Sequence, residues 1–445
     1  MRNNKRLALI ALLSGLMFSS ASFAFLEGLP VASDGGLQVG STKDPYWFNI
    51  SGVLKVDERV YTGDTKTTAS GVGTLGTYIG ATFIRDLGIT FEGGVGENFT
   101  YSIGLDIEAN KKELEVDTAY VTYNGFRDLL PNLSFSVGQV APGFCLTCAA
   151  SSKWIPFMER SMGTNTFGPK QGLGISGNTY NKHYSATIAV TQQPKAGTTI
   201  KTVTGANNEK THDLWQASGR FTYAPISEVG KVLQFGVSAH ILEYANNGLQ
   251  FRANPEMRSP NTTTLLNTTT YTSASTSSGQ TLIAAKNQRT LDIEMLGIYG
   301  PWSGELEAQK AYVARGTVNG VKQGTGANLT FSGYHAQLSY ILTGESRPLK
   351  YSNGTLGQIK PKSKYGAWEV SARYSFISLN SHDINGGRAN NTTASLSWYA
   401  NNNIKVIAEY VYSLERRYFS QTSTYKAYLD RRHVNGIGAR VQLVF

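Results

Sequence analysis

In the stretch Trp47–Tyr61, one parity carries Phe48, Ile50, Gly52, Leu54 and Val56. The other carries Asn49, Ser51, Lys55, Asp57 and Arg59, with Val53 the exception. Alternation of this kind sends one set of side chains to each face of a strand. It recurs: Phe99, Tyr101, Ile103, Leu105 and Ile107 oppose Ser102, Gly104, Asp106 and Glu108, and Trp215, Phe221 and Tyr223 oppose Gln216, Ser218 and Arg220. Trp368, Val370, Tyr374 and Phe376 likewise oppose Glu369, Arg373 and Ser375. A dry sandwich has no place for so many charges on its inner face. Lipid outside and water inside accommodates both sets, so the pattern predicts an all-β transmembrane antiparallel barrel. Leu114–Asn124 is a strand of ambiguous parity.

Sixteen such segments are predicted: 47–61, 81–92, 98–110, 114–124, 132–140, 169–178, 183–192, 213–223, 231–243, 288–299, 302–314, 329–343, 364–377, 391–400, 403–415 and 432–445. Their number is even and most have the length a tilted membrane strand needs. Connections mostly alternate short and long. The exceptions are 111–113, short where a loop is due, and 344–363, long where a turn is due. The last segment alternates Ile437, Ala439, Val441, Leu443 and Phe445 with Gly438, Arg440 and Gln442, as a barrel-closing strand requires.

Ahead of the barrel, Arg2, Lys5 and Arg6 precede an apolar run, Leu7–Phe18, and then Ser22-Phe23-Ala24. Residues 1–24 read as a signal peptide, too short to be a membrane helix in the mature chain, and 25–46 as a periplasmic N-terminal segment before the 47–445 barrel. The net charge of +10 would elsewhere raise nucleic acid as a partner. In an exported barrel, small inorganic anions replace it, with outer-membrane lipid and lipopolysaccharide around the wall. Tyr244–Asn287, centred on NTTTLLNTTTYTSASTSSGQ, is low-complexity and predicts a flexible extracellular loop.

Chemistry beyond the wall is sparse. GxSxG, Walker A and HExxH motifs do not occur, and the six histidines lack metal-ligand spacing. The chain therefore reads as a channel with no catalysis, metal or cofactor. The stretch 138–177 links two strands but is too polar and irregular to be one. It holds Cys145 and Cys148, which form a disulfide or remain two thiols, and a charged group of Lys153, Glu159 and Arg160. It is read as an infolded constriction loop rather than an ordinary surface loop.

Several runs carry a resemblance: Val116-Asp-Thr-Ala-Tyr-Val-Thr-Tyr-Asn-Gly-Phe126, Val137-Gly-Gln139, Ser151-Ser-Lys-Trp154, Phe157-Met-Glu-Arg-Ser161, Tyr340-Ile-Leu-Thr-Gly-Glu-Ser-Arg-Pro348, Gly366-Ala-Trp-Glu-Val-Ser-Ala-Arg-Tyr374, Leu396-Ser-Trp-Tyr-Ala-Asn401 and Glu409-Tyr-Val411. In this order they resemble the phosphate-selective porin O and P family. The resemblance implies a homotrimer of sixteen-stranded barrels in the bacterial outer membrane, passing phosphate, pyrophosphate or similar anions. It implies Lys153 and Arg160 as loop cations of the constriction, Asp117 as its aspartate and Arg85 as one of a wall arginine pair. The family's second loop lysine falls at Cys148, which puts phosphate preference in question and keeps a non-selective general-diffusion porin as the alternative. Lys55, Arg59, Arg220, Arg373 and Arg440 are expected along the lumen path.

Overall fold

The computed structural model describes residues 36–445 except 70–72, 109–112, 127, 194–213, 263–265, 269, 272–279 and 420–427. The predicted signal peptide, residues 25–35 of the 25–46 segment and part of 244–287 therefore lie outside the described residues. Sixteen strands form the wall: β1 Tyr46–Gly63, β2 Ala81–Val95, β3 Phe99–Glu108, β4 Glu113–Tyr123, β5 Ser134–Val140, β6 Gly172–Tyr180, β7 Tyr184–Gln193, β8 Leu214–Glu228, β9 Lys231–Glu243, β10 Ile283–Tyr299, β11 Trp302–Arg315, β12 Leu329–Ile341, β13 Ala367–Ser381, β14 Ile384–Tyr399, β15 Ile404–Phe419 and β16 Tyr428–Val444. Each pairs antiparallel with the next. β16 returns to β1 in register from Val53↔Val444 to Gly63↔Val434, which closes the barrel and leaves it no edge. The sixteen predicted segments and the sixteen strands coincide. The largest change is at β14, which starts at Ile384 because His382, at φ 50°, and Asp383 close a tight turn.

The outward set is exposed as a lipid-facing surface should be, with Ile188 66%, Ile293 63% and Leu306 50% accessible. Aromatic side chains gather at the end that carries the short turns. Phe99–Tyr123 and Tyr123–Phe126 lie 5.1 Å apart, Trp302–Tyr340 4.5 Å and Trp368–Trp398 5.9 Å, forming one girdle.

Of the register shifts in the described wall, two fall on β2 and β4 and break the alternation beside the open route. Lys55 pairs with Asp86 but Val56 with Ile84, which leaves Arg85 as the extra residue. Gly104 pairs with Thr118 but Leu105 with Val116, which leaves Asp117 as the other. A bulge re-aims the side chain it carries. This is the physical reason for the ambiguous parity of the fourth segment, and it lets Arg85 join the side of Asp86.

Much of the interior is filled by chain rather than water. Residues 141–171 fold inward from the loop end, carrying helices α1 (Leu146–Ala149) and α2 (Met162–Phe167). Part of the 244–282 connection follows. Phe251 packs between Phe167 at 5.2 Å and Phe331 at 5.3 Å, in a buried cluster with Leu249, Leu266 and Leu329. The described first part of the 244–287 segment, with Leu266, thus packs inside the barrel, because its few apolar residues find a dry core there. From the turn end, 342–366 also enters: Leu356 joins Leu146 and Leu296, and Ile359 joins Ile341 and Tyr399.

These inserts pack against β8–β16 and β1, where the inward residues Thr222, Thr290, Ser375, Thr393 and Ser397 are at most 1% exposed. On the other side Thr90, Glu92, Thr118, Thr122, Ser136 and Ser176 are only half-buried. The open route therefore runs off-centre, beside β2–β6.

Candidate constriction

The inward loop leaves the wall after Val140, two residues beyond Gly138. The φ of 135° at Gly138 and the 2.2 Å that would separate a Cβ there from the Ala119 carbonyl of β4 both demand glycine. Cys145 caps α1 and is joined to Cys148 by a disulfide, closing the first helical turn. Glu307 on β11 anchors both helices. It accepts from Thr147 N, Thr147 Oγ1 and Thr164 Oγ1, each at 2.9 Å.

Beyond α1 the chain runs irregularly from Ser151 to Arg160, and side chains of the wall and of the 342–366 insert satisfy its backbone. Gln442 donates to the Lys153 carbonyl at 3.0 Å, Arg347 to Trp154 at 2.8 Å, Lys405 to Ile155 at 2.8 Å and Ser395 to Pro156 at 3.1 Å. Arg440 donates to Met158 at 2.6 Å and Arg373 to Glu159 at 3.0 Å, while Glu409 accepts from Met158 N at 2.8 Å. A buried loop is possible because few of its carbonyls are left unpaired. Gly438 on β16 leaves room for Met158, whose sulfur would lie 2.9 Å from a Cβ there.

Glu159 is the electrostatic hub of this stretch. Arg85 donates to it at 2.8 and 3.1 Å and Arg59 at 2.7 Å. Burial alone would push its carboxyl up. Arg85 and Arg59 outweigh that and hold it well below the usual carboxylate range. Arg59 and Arg440 share Asp57 behind the loop, at 2.5 and 2.6 Å.

This arrangement fixes where the predicted residues lie. Lys55, Arg59, Arg220, Arg373 and Arg440 are at most 6% exposed. They face inward, as parity requires, but against packed chain and not against open water. Lys55 bonds Asp86 and Ser152, each at 2.8 Å. Arg220 holds Glu294 and the Asn353 and Gly354 carbonyls, and Arg373 holds Glu256 of the 244–282 insert at 2.7 Å. They pin the inserts, which corrects the lumen-path expectation for this set.

Arg160 turns back to the Thr147 and Ala150 carbonyls at 2.7 and 2.8 Å, and burial lowers its pKa. Asp117 meets Gln171 at 3.4 Å, where the loop rejoins β6. Lys153 is different. Among the described residues its ammonium has no ion pair or hydrogen bond, and it is only partly covered. Burial lowers its pKa, while Glu92, Asp86 and Asp106 on the β2–β3 wall pull the other way and Lys350 adds to the lowering.

Sequence reasoning missed Lys350, Glu92, Glu256, Glu307 and Glu409. The one available signal was the over-long 344–363 connection, which proves to be the insert bearing Lys350.

The model of the family described as phosphate-selective porin O and P matches residues 68–445. Porin O of Pseudomonas aeruginosa is 28% identical over 407 residues, covering 86% of each chain. Among solved structures, the trimer form of OmpT from Vibrio cholerae aligns with a TM-score of 0.55 at 8% identity, over 90% of this chain and 100% of that one. An anion-selective porin from Comamonas acidovorans aligns at 0.51 with 12% identity, over 90% and 100%. The closed sixteen-stranded barrel, its lashed inner loop and the family match together place this chain, an outer-membrane porin, in the phosphate-selective porin O and P family.

Proposed function

We propose that this porin is anion-selective, that it passes small inorganic anions of the phosphate class, and that Lys153 is the principal attracting charge at its narrowest point. One observation carries the reading. Lys153 keeps an unpaired ammonium on the open side of a loop whose other cations are engaged. An anion entering a narrow pore sheds water and needs a donor that also lets it leave; one lysine supplies this more readily than a clamp of arginines. The 342–366 insert supports it. Its Lys350, Lys360, Lys362 and Lys364 are exposed, against the single buried acid Glu345. Arg85 and Arg160 then act by positioning the loop, and Asp117 tempers the field from the wall.

The chain also assembles as a homotrimer in this reading. β5 and β6 have 7 and 9 residues. A tilted strand of 7 covers only about 16–19 Å of the roughly 25 Å apolar band. A neighbouring copy would shield that low part of the wall, and crosslinking of the reconstituted protein tests it. Selectivity is read from the zero-current potential in a potassium chloride gradient. A potential of cation-selective sign would contradict the proposal, and a potential near zero would favour general diffusion.

A further inference from the structure

The charges along the open route are divided across it. On the side of the inserts stand Lys153 and Lys350. On the opposing wall, β2–β4 place Asp86, Glu92, Asp106, Glu115 and Asp117. The described parts of β2–β6 contribute one inward cation, Arg85, and Glu159 engages it. Asp86 is bonded by Lys55. Glu92 is half-buried and, among the described residues, its carboxylate has no ion pair or hydrogen bond. It faces inward beside Ser102 in the β2–β3 register. An unpaired carboxylate on the β2 wall and an unpaired ammonium on the insert thus stand close enough to act on each other's charge without forming an ion pair.

Opposite charges left apart in a low-dielectric frame focus a field across the route rather than along it. A simple anion gains on the Lys153 side and loses on the Glu92 side. A solute with an anionic group at one end and an ammonium at the other gains on both. We infer that the constriction favours small zwitterions, an anionic end held at Lys153 and a cationic end at Glu92, and that Glu92 is a specificity-determining residue. This rests on the assignment of Lys153 to the narrowest point and adds a solute class to it.

The test is swelling of proteoliposomes in β-alanine against lactamide, an uncharged solute of the same size, alongside the zero-current potential. In the wild type, β-alanine should enter faster. Glu92→Gln should remove that advantage and raise the chloride-to-potassium permeability ratio roughly threefold, about 0.7 kcal/mol of field. Glu92→Asp, which restores the charge, should keep the wild-type behaviour and excludes mere loss of folding. Equal wild-type rates, or an advantage that survives Glu92→Gln, would overturn the inference. A failure of the anion-selective reading would show separately, as the sign of the wild-type potential.

Discussion

Glu159 shows how one side chain sets the shape of a pore. It accepts from two strands, through Arg59 of β1 and Arg85 of β2, and thereby holds the stretch that presents Lys153. Removing one partner of a buried charged cluster leaves the others uncompensated, at a cost of about 3–5 kcal/mol. Glu159→Gln should therefore loosen the loop at neutral pH, seen as faster proteolysis within 141–171 and noisier single-channel current. Its carboxyl is depressed when folded, so its contribution is complete above the ordinary glutamate value of about 4.3 and is lost as pH falls through the lower folded value. Wild-type current should stay steady down to about pH 4.5, whereas loosening already near pH 6 would contradict this role. The charge at position 159 was legible in the sequence, but its partner was not. Arg85 reaches it from a bulge, and alternation counted along a strand cannot register an extra residue.

At the scale of elements, the three inserts depend on space as much as on charge. Gly438 and Gly436 on β16 face Met158 and Met257 with no room for a β-carbon. Gly438→Val should displace the 151–160 stretch at an overpacking cost of about 1–3 kcal/mol. The barrel should still form and its single-channel conductance should change; unchanged conductance would place the loop elsewhere. The strands themselves were legible throughout, since a period of two over ten residues is a strong signal. What covers their inward face was not. Alternation tells that Arg373 points inward but not whether it meets water or the Glu159 carbonyl, because burial by an insert is a long-range fact. The 244–287 segment shows the same limit: its polarity predicted solvent, while Leu249, Phe251 and Met257, ahead of its Asn/Thr/Ser-rich centre, seek the dry interior.

For the molecule as a whole, the claim is an off-centre route beside β2–β6 with Lys153 at its narrow point. Its course can be probed by introduced thiols, because the chain's two cysteines are already joined. Cysteine at Thr122 or Ser136 should react with a charged thiol reagent and reduce the current. Cysteine at Ser375 or Ser397, sealed behind the inserts, should not, and the reverse pattern would place the route on the other side. Most direct is the zero-current potential of the wild type against Lys153→Glu. A unit charge about 5 Å from a passing ion is worth roughly 3 kcal/mol at an effective dielectric near 20. Even half of that shifts a permeability ratio about tenfold. The wild type should show a potential of anion-selective sign, and Lys153→Glu should abolish or reverse it while Arg252→Glu, on the 244–282 connection, leaves it intact. A Lys153→Glu channel with the wild-type potential would contradict the account.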